Sequence, residues 1–150
     1  MSPRTIHALL CVAIFAAGCG RVPQADRDAV LEAVRRNVRL LEEKKIDEMM
    51  ETIHPQSPAF AGTRRSVTEL TNQFELKCEL SALEVLGARK GDVRVRFEQI
   101  TERKKDGVIE PKTRMVGVHV LRKDGGVWKI FDTEVVGAEV VAAPIAEEEK

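Results

Sequence analysis

The sequence predicts an α+β fold: N-terminal helices packed in a curved antiparallel sheet of about four strands, a cone-like arrangement preceded by a signal peptide. The chain has 150 residues, 43% of them hydrophobic and 32% charged, which is typical of one globular domain. Apolar residues first recur every three or four positions and later every second position. Because four strands cannot cover both faces of their own sheet, the amphipathic helices are expected to cover one of them.

The segment that begins at Asp26 has the spacing of an amphipathic helix. Its apolar positions are Val30, Leu31, Val34, Val38 and Leu41. The helix is expected to break near Lys44, and a shorter helix should end before Pro55, which disfavours a helical residue ahead of it. A capping-box motif that opens at Ser66 predicts the start of a third helix, after a loop over residues 56–65.

Beyond Phe74 the apolar residues alternate with charged ones, which indicates strands. Four strands are expected at about residues 76–85, 93–97, 114–122 and 127–136. Glycine-containing segments at 87–91, 105–107 and 124–126 predict the turns between them. A change in the phase of alternation near Ser81 predicts a β-bulge in the first strand.

The first 18 residues have the features of an export signal. A positive charge at Arg4 is followed by an apolar run over residues 8–17 and by small residues up to Gly18. As a helix this run would rise about 15 Å, roughly half the hydrocarbon thickness of a bilayer, so a permanent span is not expected.

Residues 16–19 (Ala-Ala-Gly-Cys) resemble a bacterial lipobox, although Ala16 stands where that motif usually has Leu. The resemblance implies that Cys19 is lipid-modified and becomes the first residue of a membrane-anchored mature chain. Gly20 carries no inner-membrane retention signal, which implies the periplasmic side of an outer membrane or, without one, the cell surface. Cleavage after Gly18 by a general signal peptidase is the alternative.

The mature chain is interpreted as three parts. Residues 19–25 are expected to form a tether, residues 26–136 the α+β domain and residues 137–150 a flexible C-terminal tail.

Composition and motifs exclude several classes of function. The chain has 24 basic and 24 acidic residues, so it lacks the positive surplus that is typical of nucleic-acid binders. It contains no phosphate-binding loop and no nucleophile elbow, and its three histidines do not have metal-ligand spacing. The sequence therefore predicts no cofactor, no metal site and no nucleic-acid partner.

Three stretches, residues 34–55, 81–97 and 116–131, resemble the nuclear transport factor 2-like superfamily, also called SnoaL-like or cystatin-like α+β cone folds. They correspond to its helix–break–helix unit, its first long hairpin and its last hairpin. The resemblance implies a bent sheet that wraps a helix around a conical pocket. Members include isomerases, dehydratases, cyclases and pure binding modules, so the fold does not decide activity. Because the chain has no Tyr, the ketosteroid-isomerase mechanism in its usual form is excluded.

The candidate pocket residues are taken from the strands. They are Phe97, Met115, His119, Trp128 and Asp132. The preferred hypothesis is a non-catalytic pocket for a small apolar ligand or a partner protein. One alternative is a cyclase, isomerase or dehydratase that uses His119, which can move a proton near neutral pH, with Asp132 to orient it. A second alternative is a structural envelope factor with a filled cone.

The resemblance also implies a homodimer, because many relatives pair through the outer face of the sheet. Val116, Val118 and Val120 share one face of the third strand and form an apolar stripe that could serve such a dimer. The same stripe could instead face the core, and the sequence leaves this choice open.

Overall fold

A computed structural model describes residues 20–141, so the signal peptide, Cys19 and residues 142–150 lie outside the described part. The predicted α+β class is confirmed. The helices are α1 (Gln24–Glu42), α2 (Ile46–Glu51) and α3 (Phe60–Gln73). The strands are β1 (Glu75–Arg89), β2 (Asp92–Lys105), β3 (Val108–Ile109), β4 (Thr113–Asp124) and β5 (Val127–Val140).

The strands form one antiparallel sheet in the order β1-β2-β4-β5, and the short β3 pairs with β2. The bulge predicted near Ser81 is present, because the register of β1 against β2 shifts between Leu80 and Ala82. The turn from β1 to β2 places Lys90 at φ 52° and Gly91 at φ 84°. Glycine adopts this left-handed backbone without strain, so the turn occurs where the sequence predicts it.

The core lies between the concave face of the sheet and the helices. Val30 and Val34 of α1 are fully buried, as are Val95 of β2 and Leu121 of β4. The apolar spacing read from the sequence therefore identifies the packed face of α1 correctly. Among residues 20–141, no helix is both long and apolar enough to cross a bilayer.

The expected tether over residues 19–25 is wrong for the residues that the structure describes. Gly20 forms an antiparallel bridge with Ala88, and Val22 is only 4% exposed in the core. Helix α1 begins at Gln24, directly after Pro23, two residues before the predicted start. Burial of Val22 holds this segment against the domain, an effect that a polar composition does not reveal.

Two other boundaries are also wrong. Helix α3 begins at Phe60 rather than Ser66, because the Ser57 Oγ accepts the N–H of Ala59 and the Ser57 carbonyl accepts that of Phe60. The flexible tail was expected from residue 137, but residues 137–140 continue β5 in register with residues 113–116 of β4.

Candidate functional site

A cavity of about 230 Å³ lies between the helices and the concave face of the sheet. Asn37 and Leu41 of α1 and Val67 of α3 line its helical side. Phe97, Met115 and His119 line its sheet side and Asp132 lies at its rim, so four of the five candidate pocket residues border the cavity. The cone is therefore not filled.

The floor of the cavity is built around Gly117. The Phe97 ring is 1% exposed and stacks on the His119 ring with 4.2 Å between ring centroids and 14° between planes. A Cβ on Gly117 would lie 2.8 Å from two carbons of the Phe97 ring and 2.6 Å from the Glu134 carbonyl oxygen. The absence of a side chain at Gly117 therefore allows Phe97 to lie flat on β4 beside His119.

His119 faces the cavity on the same side of the sheet as Phe97. Its Nδ1 lies 2.8 Å from the Thr133 Oγ1 on β5. Burial lowers the pKa of His119 from its ordinary value of 6.5 to about 4. At neutral pH the ring is therefore uncharged, and it offers the cavity a hydrogen-bonding group without a charge.

Asp132 does not orient His119, contrary to the hypothesis from the sequence. Asp132 is exposed at the cavity rim, and its Oδ1 accepts the Thr133 N–H at 2.8 Å. In the sheet it pairs in register with Val120, on the face opposite that of His119. The reason is a bulge at Phe131, which has no partner in β4 and shifts the alternation of β5 by one residue. Thr133 therefore stands opposite His119.

The prediction that Trp128 lines this cavity is wrong. Its indole Nε1 donates to Asp26 Oδ1 at 2.9 Å, and the Lys123 Nζ lies 4.9 Å from the ring centroid. The indole hydrogen bond and the Lys123 ammonium lower the pKa of Asp26. Trp128 thus borders a separate open groove beside α1, which also contains Ala33.

Five polar cavity residues were not singled out as site residues from the sequence: Asn37, Ser57, Thr63, Gln99 and Thr133. Asn37 lies three residues after Val34, among the apolar residues on the packed face of α1. Its Nδ2 donates to the Thr52 Oγ1 at 2.7 Å. Gln99 continues the inward phase of Phe97, beyond the point where the strand was expected to end. A polar residue in an otherwise apolar phase was the available signal.

The burial and hydrogen bonds of His54 and Cys78 indicate structural roles for both residues. His54 is 5% exposed, its N–H donates to the Ile130 carbonyl, and its Nδ1 accepts the Gln56 N–H. Burial raises the pKa of Cys78 to about 11, while its backbone N–H donates to Glu42 Oε1 at 2.6 Å. In the part of the chain described, no three His, Cys, Asp or Glu side chains are grouped to hold a metal ion.

The apolar stripe lies on the outer face of the sheet, opposite the cavity. Val116, Val118 and Val120 pair in register with Glu98, Arg96 and Arg94 of β2. On the other side of the stripe, Val118 pairs with Glu134 and Val120 with Asp132. The stripe therefore runs between a largely basic strand and an acidic one.

The helices, the wrapped sheet and the cavity together define an α+β cone domain of the cystatin-like type. Solved structures with this architecture match the chain. The beta subunit of benzoate 1,2-dioxygenase from Burkholderia mallei has a TM-score of 0.61 at 16% identity, over 77% of this chain and 91% of that one. A cystatin-like-fold protein from Nostoc punctiforme has a TM-score of 0.63 at 10% identity, over 77% and 93%.

A candidate aromatic ring hydroxylase from Novosphingobium aromaticivorans has a TM-score of 0.68 at 13% identity, over 81% of this chain and 96% of that one. These identities support the fold alone. The family model that matches residues 32–141 is described as the C-terminal domain of the anti-sigma-I factor RsgI9, and the chain belongs to that family. No curated protein matches the chain significantly.

Proposed function

We propose that this protein is a lipid-anchored lipoprotein of the bacterial envelope whose cone domain binds a small apolar ligand without catalysis. The observation that carries the binding role is the cavity, whose mainly apolar walls also carry polar side chains: Asn37, Ser57, Thr63, Gln99, His119, Asp132 and Thr133. Polar groups placed among apolar walls are typical of small-molecule sites. The volume of about 230 Å³ suits a ligand smaller than most drugs, whose pockets occupy ~300–1,000 Å³.

Two features favour binding over catalysis. A cyclase, isomerase or dehydratase that used His119 with Asp132 would need the two side chains to meet, and the register of β5 counts against this. His119 contacts a Thr133 hydroxyl instead, which cannot stabilise an imidazolium as a carboxylate does. The family model carries the name of the C-terminal domain of an anti-sigma factor, and a recognition module is consistent with that name.

The binding role is tested with benzene and indole as probes, followed by NMR shifts of the cavity side chains. The wild type should bind at least one probe. Met115→Trp, which places a large ring in the cavity, should abolish that binding. Val136→Trp is the matched control, because Val136 is 68% exposed and lies outside the cavity. Equal probe binding by the wild type and Met115→Trp, or no binding by the wild type, would refute the proposed pocket.

The anchor rests on Cys19, which follows the small residues of a lipobox-like motif. One acyl chain holds a protein weakly at a membrane, whereas two or more hold it firmly. Cys19→Ala should therefore move the protein from the membrane fraction to the soluble fraction, and mass spectrometry of the wild type should find acyl groups on Cys19. A mature protein with a free thiol at Cys19 would refute the anchor.

The outer face of the sheet supports a homodimer. A two-fold axis parallel to the strands would set β4 against β4 of a second copy, and β2 of each copy against β5 of the other. Arg94 and Arg96 of one copy would then face Asp132 and Glu134 of the other. The apolar stripe around Val118 would face the same stripe of the second copy. Such an isologous interface pairs opposite charges on both sides.

Charge reversal and its compensation test this interface. Arg96→Glu should shift the detergent-solubilised protein toward monomer in analytical ultracentrifugation, and adding Glu134→Arg in the same chain should restore the dimer. Arg35→Glu, on the exposed face of α1, is the control. A monomeric wild type, or a dimer that Arg96→Glu leaves intact, would exclude this arrangement.

A further inference from the structure

One end of the sheet lies next to the attachment point of the proposed lipid. This end, called here the Lys90 end, is formed by the turn at residues 90–91 between β1 and β2 and by the turn at residues 125–126 between β4 and β5. Gly20 bridges Ala88 there, two residues before Lys90. Because the bridge is antiparallel, the backbone enters Gly20 from the side of Arg89.

No free linker separates this end from residue 19 of the chain. Consecutive Cα atoms are about 3.8 Å apart. Cys19 is therefore bonded directly to Gly20, the residue that bridges β1. Val22, at 4% exposure, fixes the following residues in the core. A lipid on Cys19 would therefore hold the Lys90 end close to the leaflet rather than letting the domain swing on a tether.

The Lys90 end carries positive charges that no carboxylate of residues 20–141 neutralises in an ion pair. Arg21, Arg89 and Lys90 are exposed, and none of them forms an ion pair within residues 20–141. The acidic residues of the same two turns are compensated. Asp92 pairs with Arg122 at 2.7 Å, and Asp124 pairs with Lys129 at 2.8 Å.

The same end also exposes an apolar side chain, because Val127 is 58% exposed beside the β4–β5 turn. Trp128 follows Val127 and is half-buried. Cations beside aromatic and apolar residues are the combination that favours a membrane interface.

We propose that the Lys90 end of the sheet lies against anionic phospholipid headgroups of the leaflet that holds the lipid of Cys19. Arg21, Arg89 and Lys90 contact the phosphates, and the mouth of the cavity is thereby given a fixed orientation relative to the membrane. This inference rests on the lipid anchor proposed above. The attraction should weaken as salt screens the surface charge.

The only tryptophan of the chain, Trp128, provides the measurement. The full protein, purified from membranes, is reconstituted into phosphatidylcholine vesicles with or without phosphatidylglycerol and with a dansyl acceptor on the headgroups. Energy transfer from Trp128 should be higher in the anionic vesicles, and high salt should remove the increase.

Arg89→Glu combined with Lys90→Asn should abolish the increase, and Asn suits the positive φ of Lys90. Lys77→Glu combined with Lys105→Gln changes the charge by the same amount on residues away from the Lys90 end, and it should keep the increase. Transfer that does not depend on lipid charge, or an equal loss in both variants, would overturn the inference while acylated Cys19 keeps the anchor. An unmodified Cys19 would overturn both.

Discussion

Gly117→Ala perturbs the floor of the cavity at one atom. The added Cβ would meet the Glu134 carbonyl oxygen at 2.6 Å and the Phe97 ring at 2.8 Å. Neither neighbour can move easily, because the carbonyl belongs to the backbone of β5 and the ring is 1% exposed. The variant must therefore shift β4 from β5 or push Phe97 off His119.

The expected loss of stability follows from two opposing effects. Overpacking a well-packed interior typically costs ~1–3 kcal/mol. Replacing Gly by Ala where the backbone allows it stabilises by ~0.4–1 kcal/mol, because the unfolded chain has less freedom to lose. The free energy of unfolding should therefore fall by about 1–2 kcal/mol, measured by urea denaturation with linear extrapolation.

Gly137→Ala is the matched control, because no heavy atom lies within 4 Å of its added Cβ and Gly137 is also a strand residue, in the neighbouring strand β5. It should be neutral or slightly stabilising. A second readout is the pKa of His119 by NMR, which should rise from about 4 when displacement of Phe97 lets water reach the ring. Equal stability of Gly117→Ala and Gly137→Ala, together with an unchanged His119 pKa, would refute the predicted clash at Gly117.

Three other predictions concern single side chains. The folded-state pKa of His119, about 4, lies below its unfolded value of 6.5, so the unfolding free energy should fall as pH drops from 6.5 to 4. The fall is at most ~3 kcal/mol, and a His119→Gln variant with the same pH dependence would contradict it. Trp128→Phe should raise the pKa of Asp26 toward its ordinary value in an NMR titration, and no rise would exclude the indole hydrogen bond as its cause. Glu42→Ala removes the carboxylate that accepts a backbone N–H of β1 at 2.6 Å and should cost ~1–2 kcal/mol in urea, whereas Glu43→Ala should have little effect; equal effects would argue against that hydrogen bond.

The parts of the fold that the sequence predicted are those that depend on local periodicity. Val30, Val34 and Val38 share the buried face of α1, and the bulge near Ser81 is visible as a change of phase. The start of α3 was missed because the hydrogen bonds of Ser57 begin the helix before any apolar spacing is visible. Docking of Gly20 on β1 is a long-range contact, which no local pattern encodes.

The candidate site was predicted in part for a related reason. Phe97, Met115 and His119 keep a regular alternation and lie in the lining of the cavity. Trp128 lies outside the cavity, where its indole donates a hydrogen bond to Asp26, a residue 102 positions distant in the chain. Asp132 was misassigned because Phe131 bulges toward Arg122, whose guanidinium carbon lies 3.7 Å from the ring centroid.

The extra residue at Phe131 decides which side chain of β5 stands opposite His119. Because Thr133 occupies that position, a Thr133→Asp substitution would install a carboxylate beside the imidazole without moving the backbone. One point mutation would thus place a carboxylate and an imidazole side by side in the cone, which makes the domain a starting scaffold for building hydrolytic or dehydrating chemistry by design.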